Sequence, residues 1–260
     1  MFCLLLSNLV LLTWLQEPVY RLITGKLSPD MYSISDNHQA RNNWADQFHT
    51  WQKEDWESVI WTDECGFNVG ESPGRIFVTR SAGEEYLPSC LTPKFKKRDT
   101  IMVWGAFCGR IKGPLVFWDK KGWGKTVTAK GYTTNVVPHL HDFWNDMSRA
   151  KSGYIYIQQD GASSHTAGLT TKVFQERGLF NYLLPWVASS PDLNLIEGVW
   201  RLMKNRIHNC IPRPQNNEDM RRAIREEWDA ISAADLDSLL SSMHSRVLSV
   251  RNAKGGHTPY

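Results

Sequence analysis

The sequence predicts an α/β fold, a mixed sheet flanked by helices and followed by a helical tail. Three observations predict it. Apolar runs of strand length recur through the first two thirds of the chain, with helix-spaced apolar stripes between them. After Pro212 and Pro214 the strand-like runs stop, and two further helical stripes follow. Hydrophobic content of 42% with 22% charged residues is that of a chain that buries a core. The 260 residues thus divide into an apolar N-terminal segment (1–36), an α/β domain (37–211) and a helical tail packed on it (212–260).

Phe2 to Leu15 is almost purely apolar. No positive residue precedes it, no small-x-small cleavage site follows, and it is short for a membrane span. It is expected to be a buried helix or a segment outside the fold. From Asn37 to Trp56, Ala40, Trp44, Phe48 and Trp51 share one helical face, giving a connecting helix. Val59 to Phe67 alternates as a strand, with Val59, Trp61, Asp63, Cys65 and Phe67 on the apolar face and Glu64 on a polar, solvated one. Arg75 to Arg80 reads as a short strand, and Ser81 to Thr100 as a long loop of the kind that is usually functional or disordered. Strands at Thr100 to Phe107 and Pro114 to Trp118 come next. Thr128 to Met147 is a helix that Pro138 can kink. Tyr154 to Gln159 is a strand ending at Asp160-Gly161. Ser164 to Arg177 is a helix that Gly178 can stop. Asn181 to Val187 is a further strand. Ile196, Trp200, Met203 and Ile207 then mark a helix, and Met220 to Ile231 and Leu236 to Val250 mark the two of the tail.

Thirty Lys and Arg against 27 Asp and Glu leave a net charge of +3, which permits nucleic-acid binding without arguing for it. The positive charge is uneven. Lys94, Lys96, Lys97 and Arg98 form one cluster, and Arg201, Lys204 and Arg206 another; either alone reads as a solvated face. Five widely spaced cysteines without a CxxC imply neither a disulfide framework nor a zinc site. Any metal would be held by oxygen ligands.

Three carboxylates carry the chemistry. Asp63 lies on the apolar face of a strand, where a carboxylate is costly unless a cation, a salt bridge or hydrogen bonds neutralise it. Asp160 is either a turn aspartate or a carboxylate at the end of a central strand, where sheets containing parallel strands place their sites. Glu197 is either the far half of a capping box with Asn194 or a third member of the set. Three converging carboxylates repel unless a divalent cation sits among them or some are protonated. Oxygen ligands suit Mg²⁺ or Mn²⁺, and a pair of such ions serves phosphodiester transfer.

Four stretches carry a resemblance: WTDECGF from Trp61, MVWGAF from Met102, QQDGASSH from Gln158 and SPDLNLIEGVW from Ser190. Together with the 36 residues between Asp160 and Glu197, they resemble the catalytic domain of a mariner-type DNA transposase, of the Tc-one/mariner superfamily. The likeness extends over about Asn37 to Tyr260 and includes the ending KGGHTPY. It implies an RNase H-like fold with a mixed five-stranded sheet, in which Asp63, Asp160 and Glu197 are catalytic and bind two Mg²⁺ (or Mn²⁺) ions. It also implies cutting at transposon ends, joining of a 3′-hydroxyl to target DNA at TA, a homodimer and action in the nucleus; separately, the basic clusters are expected to supply DNA contacts through Lys94, Lys96, Lys97, Arg98, Arg201 and Lys204. His165 falls where the family often has a histidine, and is expected to be structural. Two departures flank the last acid: Leu195 stands where the family usually has proline, and Gly198 where it usually has asparagine. Either could loosen Glu197. Fewer than 40 residues precede the domain, where the family carries paired helix-turn-helix units, so the chain is expected to lack recognition of particular transposon ends. A non-enzymatic remnant that binds DNA or dimerises is the alternative. A two-carboxylate hydrolase is a third class, disfavoured by the three-acid order and the missing secretory pattern.

Overall fold

A computed structural model describes residues 34–70, 99–151 and 153–260. The apolar segment Phe2 to Leu15, the Arg75 to Arg80 strand and the basic run from Lys94 to Arg98 lie outside the described residues.

The sheet is mixed, in the order β3-β2-β1-β4. Strand β1 (Val59–Asn68) pairs antiparallel with β2 (Thr100–Cys108), which pairs antiparallel with β3 (Ile111–Phe117). On its other side β1 pairs parallel with β4 (Tyr156–Gln158). Both sheet faces are covered, which is why β1 is buried almost continuously rather than alternately. Trp61, Cys65 and Phe67 point into one core, against Val199, Trp200 and the C-terminal helices. Ile60, Trp104 and Ala106 point into the other, against Tyr132, Leu140 and Phe174.

Helices α1 (Ile34–Phe48) and α2 (Lys53–Trp56) replace the single connecting helix expected there. The break falls where the Gln52 N–H bonds the Asp55 carboxylate and opens a new helix with a capping box. The helix expected over Thr128 to Met147 is also two, α3 (Ala129–Asn135) and α4 (Val137–Lys151). Pro138 lies in the first turn of α4, where a missing N–H costs nothing. The Ser164 to Arg177 helix divides at Ala167, whose extended backbone (ψ 144°) separates α5 (Ser163–Thr166) from α6 (Gly168–Glu176). Gly178 closes α6 with φ +72°.

The fifth strand is reduced. Residues Phe180–Tyr182 form a 3₁₀ turn, and beyond it only Leu183 bridges in parallel to Ile157, with the Leu184 N–H bonding the Ile157 carbonyl at 2.8 Å. Among the described residues the sheet therefore has four paired strands. Helix α7 (Leu195–Asn209) crosses under β1 and β2, and α8 (Asn217–Ala230) and α9 (Ala233–Asn252) pack behind it. Trp200 of α7 stacks on Trp228 of α8 with ring centroids 5.6 Å apart. Gly105 of β2 makes that stack possible, because a Cβ there would stand 2.6 Å from the Trp200 ring.

Candidate active site

Strand pairing brings the first two acids level. The parallel register runs Val59 to Tyr156, Ile60 to Ile157 and Trp61 to Gln158. Continued two residues further, it sets Asp160 opposite Asp63. Side chains end the ladder at Thr62. Its N–H donates to Gln158 Oε1 (3.1 Å) and its hydroxyl to the Gln158 carbonyl (2.7 Å), so Asp63 and Asp160 lie just beyond the last pairing.

Glu197 sits in the first turn of α7. The capping box is not formed. Asn194 holds the N-cap position with an extended backbone, but its side chain makes no capping bond. Its Nδ2 instead donates to the Thr62 carbonyl (3.2 Å) and toward Asp63 Oδ2 (3.5 Å), tying the start of α7 to β1. Among the described residues Glu197 makes no side-chain hydrogen bond or ion pair. The two departures beside it are packed, not loose. Leu195 is fully buried in the core. At Gly198 a Cβ would stand 2.5 Å from Leu239 Cδ2, so the glycine is what lets α9 approach α7 this closely.

His165 and Glu64 join the constellation. His165 Nδ1 lies 2.6 Å from Asp160 Oδ1, and Nε2 lies 3.4 Å from Glu64 Oε1. Tyr132 packs its ring 4.4 Å from the imidazole and donates its hydroxyl to Gln159 Oε1 at 3.1 Å. Glu64, expected to be merely solvated, is only 17% exposed, because β1 is covered on this face too and His165 reaches it. The imidazole itself is 3% exposed. Burial alone would lower its pKa; the bonds to Asp160 and Glu64 outweigh burial and push it up to about 10, so both ring nitrogens donate. Asp160 shows the converse. Burial raises its pKa, but the His165 bond and the Ala162 N–H (3.0 Å) bring it below the usual value. Both bonds fall on Oδ1, which leaves Oδ2 without a hydrogen-bond donor among the described residues.

Asp63 is the group under stress. Burial, then the charges of Glu64 and Glu197, and more weakly Asp160, push its pKa up to about 8, against the lowering effect of the Glu64 N–H on its Oδ1 (2.7 Å). Glu64, Glu197 and Asp160 thus all act on Asp63, and among the described residues the cation bonded to this cluster is the His165 imidazolium. Among the described residues no three Asp, Glu, His or Cys side chains stand close enough to hold one ion. The donor set nevertheless fits a hydrated divalent cation. It is all oxygen, it is short of positive charge, and Asn194 Oδ1 is buried beside Asp63 with no hydrogen-bond partner. Cys65, two residues away, is a free buried thiol with its pKa pushed up to about 11 by burial, so it brings no thiolate to the site.

Of the basic residues, Arg201 is exposed on α7 one turn beyond Glu197. Lys204 is exposed further along, with its ammonium 5.7 Å from the Phe67 ring centroid. Sequence reasoning missed Glu64, Asn194 and the contact His165 makes. Its one available signal was the histidine five residues after Asp160 in QQDGASSH.

Residues 58–221 match the DDE superfamily endonuclease family, and the chain belongs to it. Its relatives are transposases. It is 32% identical over 226 residues to the transposable element Tcb1 transposase of Caenorhabditis briggsae, covering 86% of this chain and 78% of that one. It is 30% identical over 225 residues to the transposable element Tc1 transposase of Caenorhabditis elegans, with the same coverage of 86% and 78%. The fold matches the catalytic domain of Mos1 mariner transposase with a TM-score of 0.64 at 14% identity, over 88% of this chain and 98% of that one. It also matches the Mos1 mariner paired end complex with Mn, with a TM-score of 0.69 at 16% identity, over 90% and 67% of the two chains. The mixed sheet with helices on both faces is RNase H-like, and the chain is a transposase catalytic domain of the Tc1/mariner kind.

Proposed function

We propose that this domain cuts DNA at transposon ends and joins the freed 3′-hydroxyl to target DNA, using Asp63, Asp160 and Glu197 with two Mg²⁺ or Mn²⁺ ions. One observation carries the reading: a half-buried Asp63, level with Asp160 and within reach of the charge of Glu197, in an acidic cluster with more negative charge than its own residues neutralise. Bound there, the ions would activate the attacking oxygen and stabilise the leaving one. Strand β1 holds Asp63 on a rigid element, and Asp160, two residues past β4, is fixed by its bonds to His165 and the Ala162 N–H. Asn194 holds Asp63 from the helix side, and His165 orients Asp160 so that Oδ2 is presented. Glu197, which has no bond of its own among the described residues, would supply the third carboxylate ligand. Related Mos1 structures contain Mn or Mg, and others hold transposon-end DNA, which supports both the cation and the substrate. A TA target, a homodimeric assembly and action in the nucleus belong to the same reading.

Strand transfer with pre-nicked duplex ends tests it, since such ends need no prior recognition or first cut. Asp63→Asn, Asp160→Asn and Glu197→Gln are each expected to abolish transfer in Mg²⁺ with an unchanged circular dichroism spectrum. Transfer at the parent rate by any one of them would remove that residue from the reaction.

A further inference from the structure

On the flank of α7 that carries Glu197 lies a cavity of about 460 Å³. One wall is Glu197 and Arg201; the other is Arg246 of α9 with the C-terminal segment that ends in Tyr260. Its charge is only partly balanced, with Arg41, Arg201 and Arg246 against Asp192 and Glu197. Arg41 also reaches the cavity but is matched by Asp192, which it grips at 2.6 and 2.9 Å. Asp192 is further occupied by the Thr258 hydroxyl at 2.7 Å. Arg246 has no such partner. It is only 4% exposed, and its guanidinium donates to neutral oxygens alone, Ser242 Oγ at 2.9 Å and the Asp192 carbonyl at 2.6 Å. The Tyr260 ring lies 4.9 Å from its guanidinium carbon, and Nη2 has no acceptor among the described residues. Arg201 makes no hydrogen bond or ion pair there either.

We propose that this cavity binds a phosphodiester group of the DNA strand engaged at Glu197, gripped between the guanidiniums of Arg201 and Arg246. Guanidinium forks match phosphate oxygens in pairs, and a buried fork without a carboxylate is costly until an anion arrives. Burial and then the nearby charge of Arg201 lower the pKa of Arg246, and outweigh the raising effects of Tyr260 and Asp192. An exposed arginine alone would be a solvated side chain; the buried second one, with its free nitrogen, distinguishes this cavity from a surface patch. A volume of about 460 Å³ is in the range of ligand sites and takes a nucleotide-sized piece of the strand rather than a bare ion. Glu197 would then be flanked by its cation on one side and by a clamped phosphate one helical turn away. This inference rests on the DNA-processing reading above.

Fluorescence anisotropy of a labelled single-stranded oligonucleotide, measured against salt concentration in EDTA, tests it without cation or catalysis. Each phosphate contact contributes about 0.9 to the slope of log affinity against log salt in duplex and about 0.7 in single strands. Arg201→Gln and Arg246→Gln are each expected to weaken binding and to reduce the slope by about one contact. Lys172→Gln, on the exposed face of α6, leaves the slope unchanged. Arg201→Gln lies on the surface and keeps the test valid if the Arg246 variant does not fold. A parent slope in Arg201→Gln overturns the inference. So does stabilisation of the parent by inorganic phosphate with no change of DNA slope in the variant, which marks a small-anion pocket. If the parent transfers strands while Arg201→Gln keeps the parent slope, the cavity assignment falls and the function stands. A parent chain that binds no DNA at all sinks both.

Discussion

Asp192 and Asp63 lie on either side of the α7 N-terminus, both largely withdrawn from water, and their surroundings treat them in opposite ways. Asp192 is saturated. Burial raises its pKa, but the Arg41 fork and the Thr258 hydroxyl outweigh that and hold it below the usual value. Asp63 receives one backbone N–H and a long bond from Asn194, with three further carboxylates near it, and is pushed up to about 8. The first junction joins α1, the loop before α7 and the C-terminal segment, through Arg41 bonds to Ser190 Oγ (2.6 Å) and the Gly255 carbonyl (2.9 Å) as well. It is built to hold the fold. The second is left short of positive charge. A carboxylate that the protein completes is structural; one that it strands beside other carboxylates is prepared for a cation.

The comparison breaks first at Arg41. Arg41→Ala leaves the half-buried Asp192 without its ion-pair partner and with the Thr258 hydroxyl alone, and is expected to cost about 3–5 kcal/mol in urea denaturation. Because the folded-state pKa of Asp192 is depressed, its contribution is present above the unfolded value near 4 and is lost as pH falls below it. Stability of the parent should therefore decline in acid more steeply than that of Arg41→Ala. A small loss with an unchanged acid limb would contradict the structural role.

His165 comes next. His165→Gln removes an imidazolium that satisfies Asp160 and Glu64 together, and should cost about 1.5–3 kcal/mol at neutral pH in the absence of metal. Its folded pKa is raised to about 10, so the stabilisation is complete below about 6.5 and is lost as pH rises through 10. Equal stability of parent and variant at pH 7 would show that the bridge contributes nothing.

Asp63→Asn should move stability the other way. A carboxyl whose folded pKa is raised to about 8 destabilises the fold progressively as pH climbs from about 4 to 8. In EDTA at pH 8 the variant is expected to melt above the parent, by ~2–4 °C for each kcal/mol recovered. At pH 4 the two should coincide. A lower melting temperature at pH 8 would mean that Asp63 is satisfied like Asp192.

The smallest effect belongs to Gly198. Gly198→Ala gains about 1 kcal/mol of helix propensity but presses on Leu239, at a cost of about 1–3 kcal/mol. The net change is expected to be within about 2 kcal/mol and to turn favourable in a Leu239→Ala background. An unchanged penalty there would assign the crowding elsewhere.

Much of this was legible in the residues. Period and turn residues locate β1, β2 and the three C-terminal helices, and the apolar setting of Asp63 already marks an unusual carboxylate. What was not legible is what joins distant parts of the chain. Glu64 and His165 are 101 residues apart, so no local pattern couples them. Asn194 has the neighbours of a cap, yet its side chain reaches Thr62 instead, 132 residues away. The breaks at Val136 and Ala167 lie inside stripes whose apolar spacing continues across them, so periodicity alone joins each pair of helices. The reduced fifth strand follows from the 3₁₀ turn at Phe180–Tyr182, which takes the start of an otherwise strand-like run.

Calorimetric titration of Mn²⁺ into the chain at pH 8 tests the central claim most directly. The parent should bind two ions, and Asp63→Asn, Asp160→Asn and Glu197→Gln should each lose at least one, while Asp192→Asn, if folded, keeps both. Parent-like binding by Glu197→Gln and Asp63→Asn would contradict the account, and would leave the acidic cleft a structural feature of the fold.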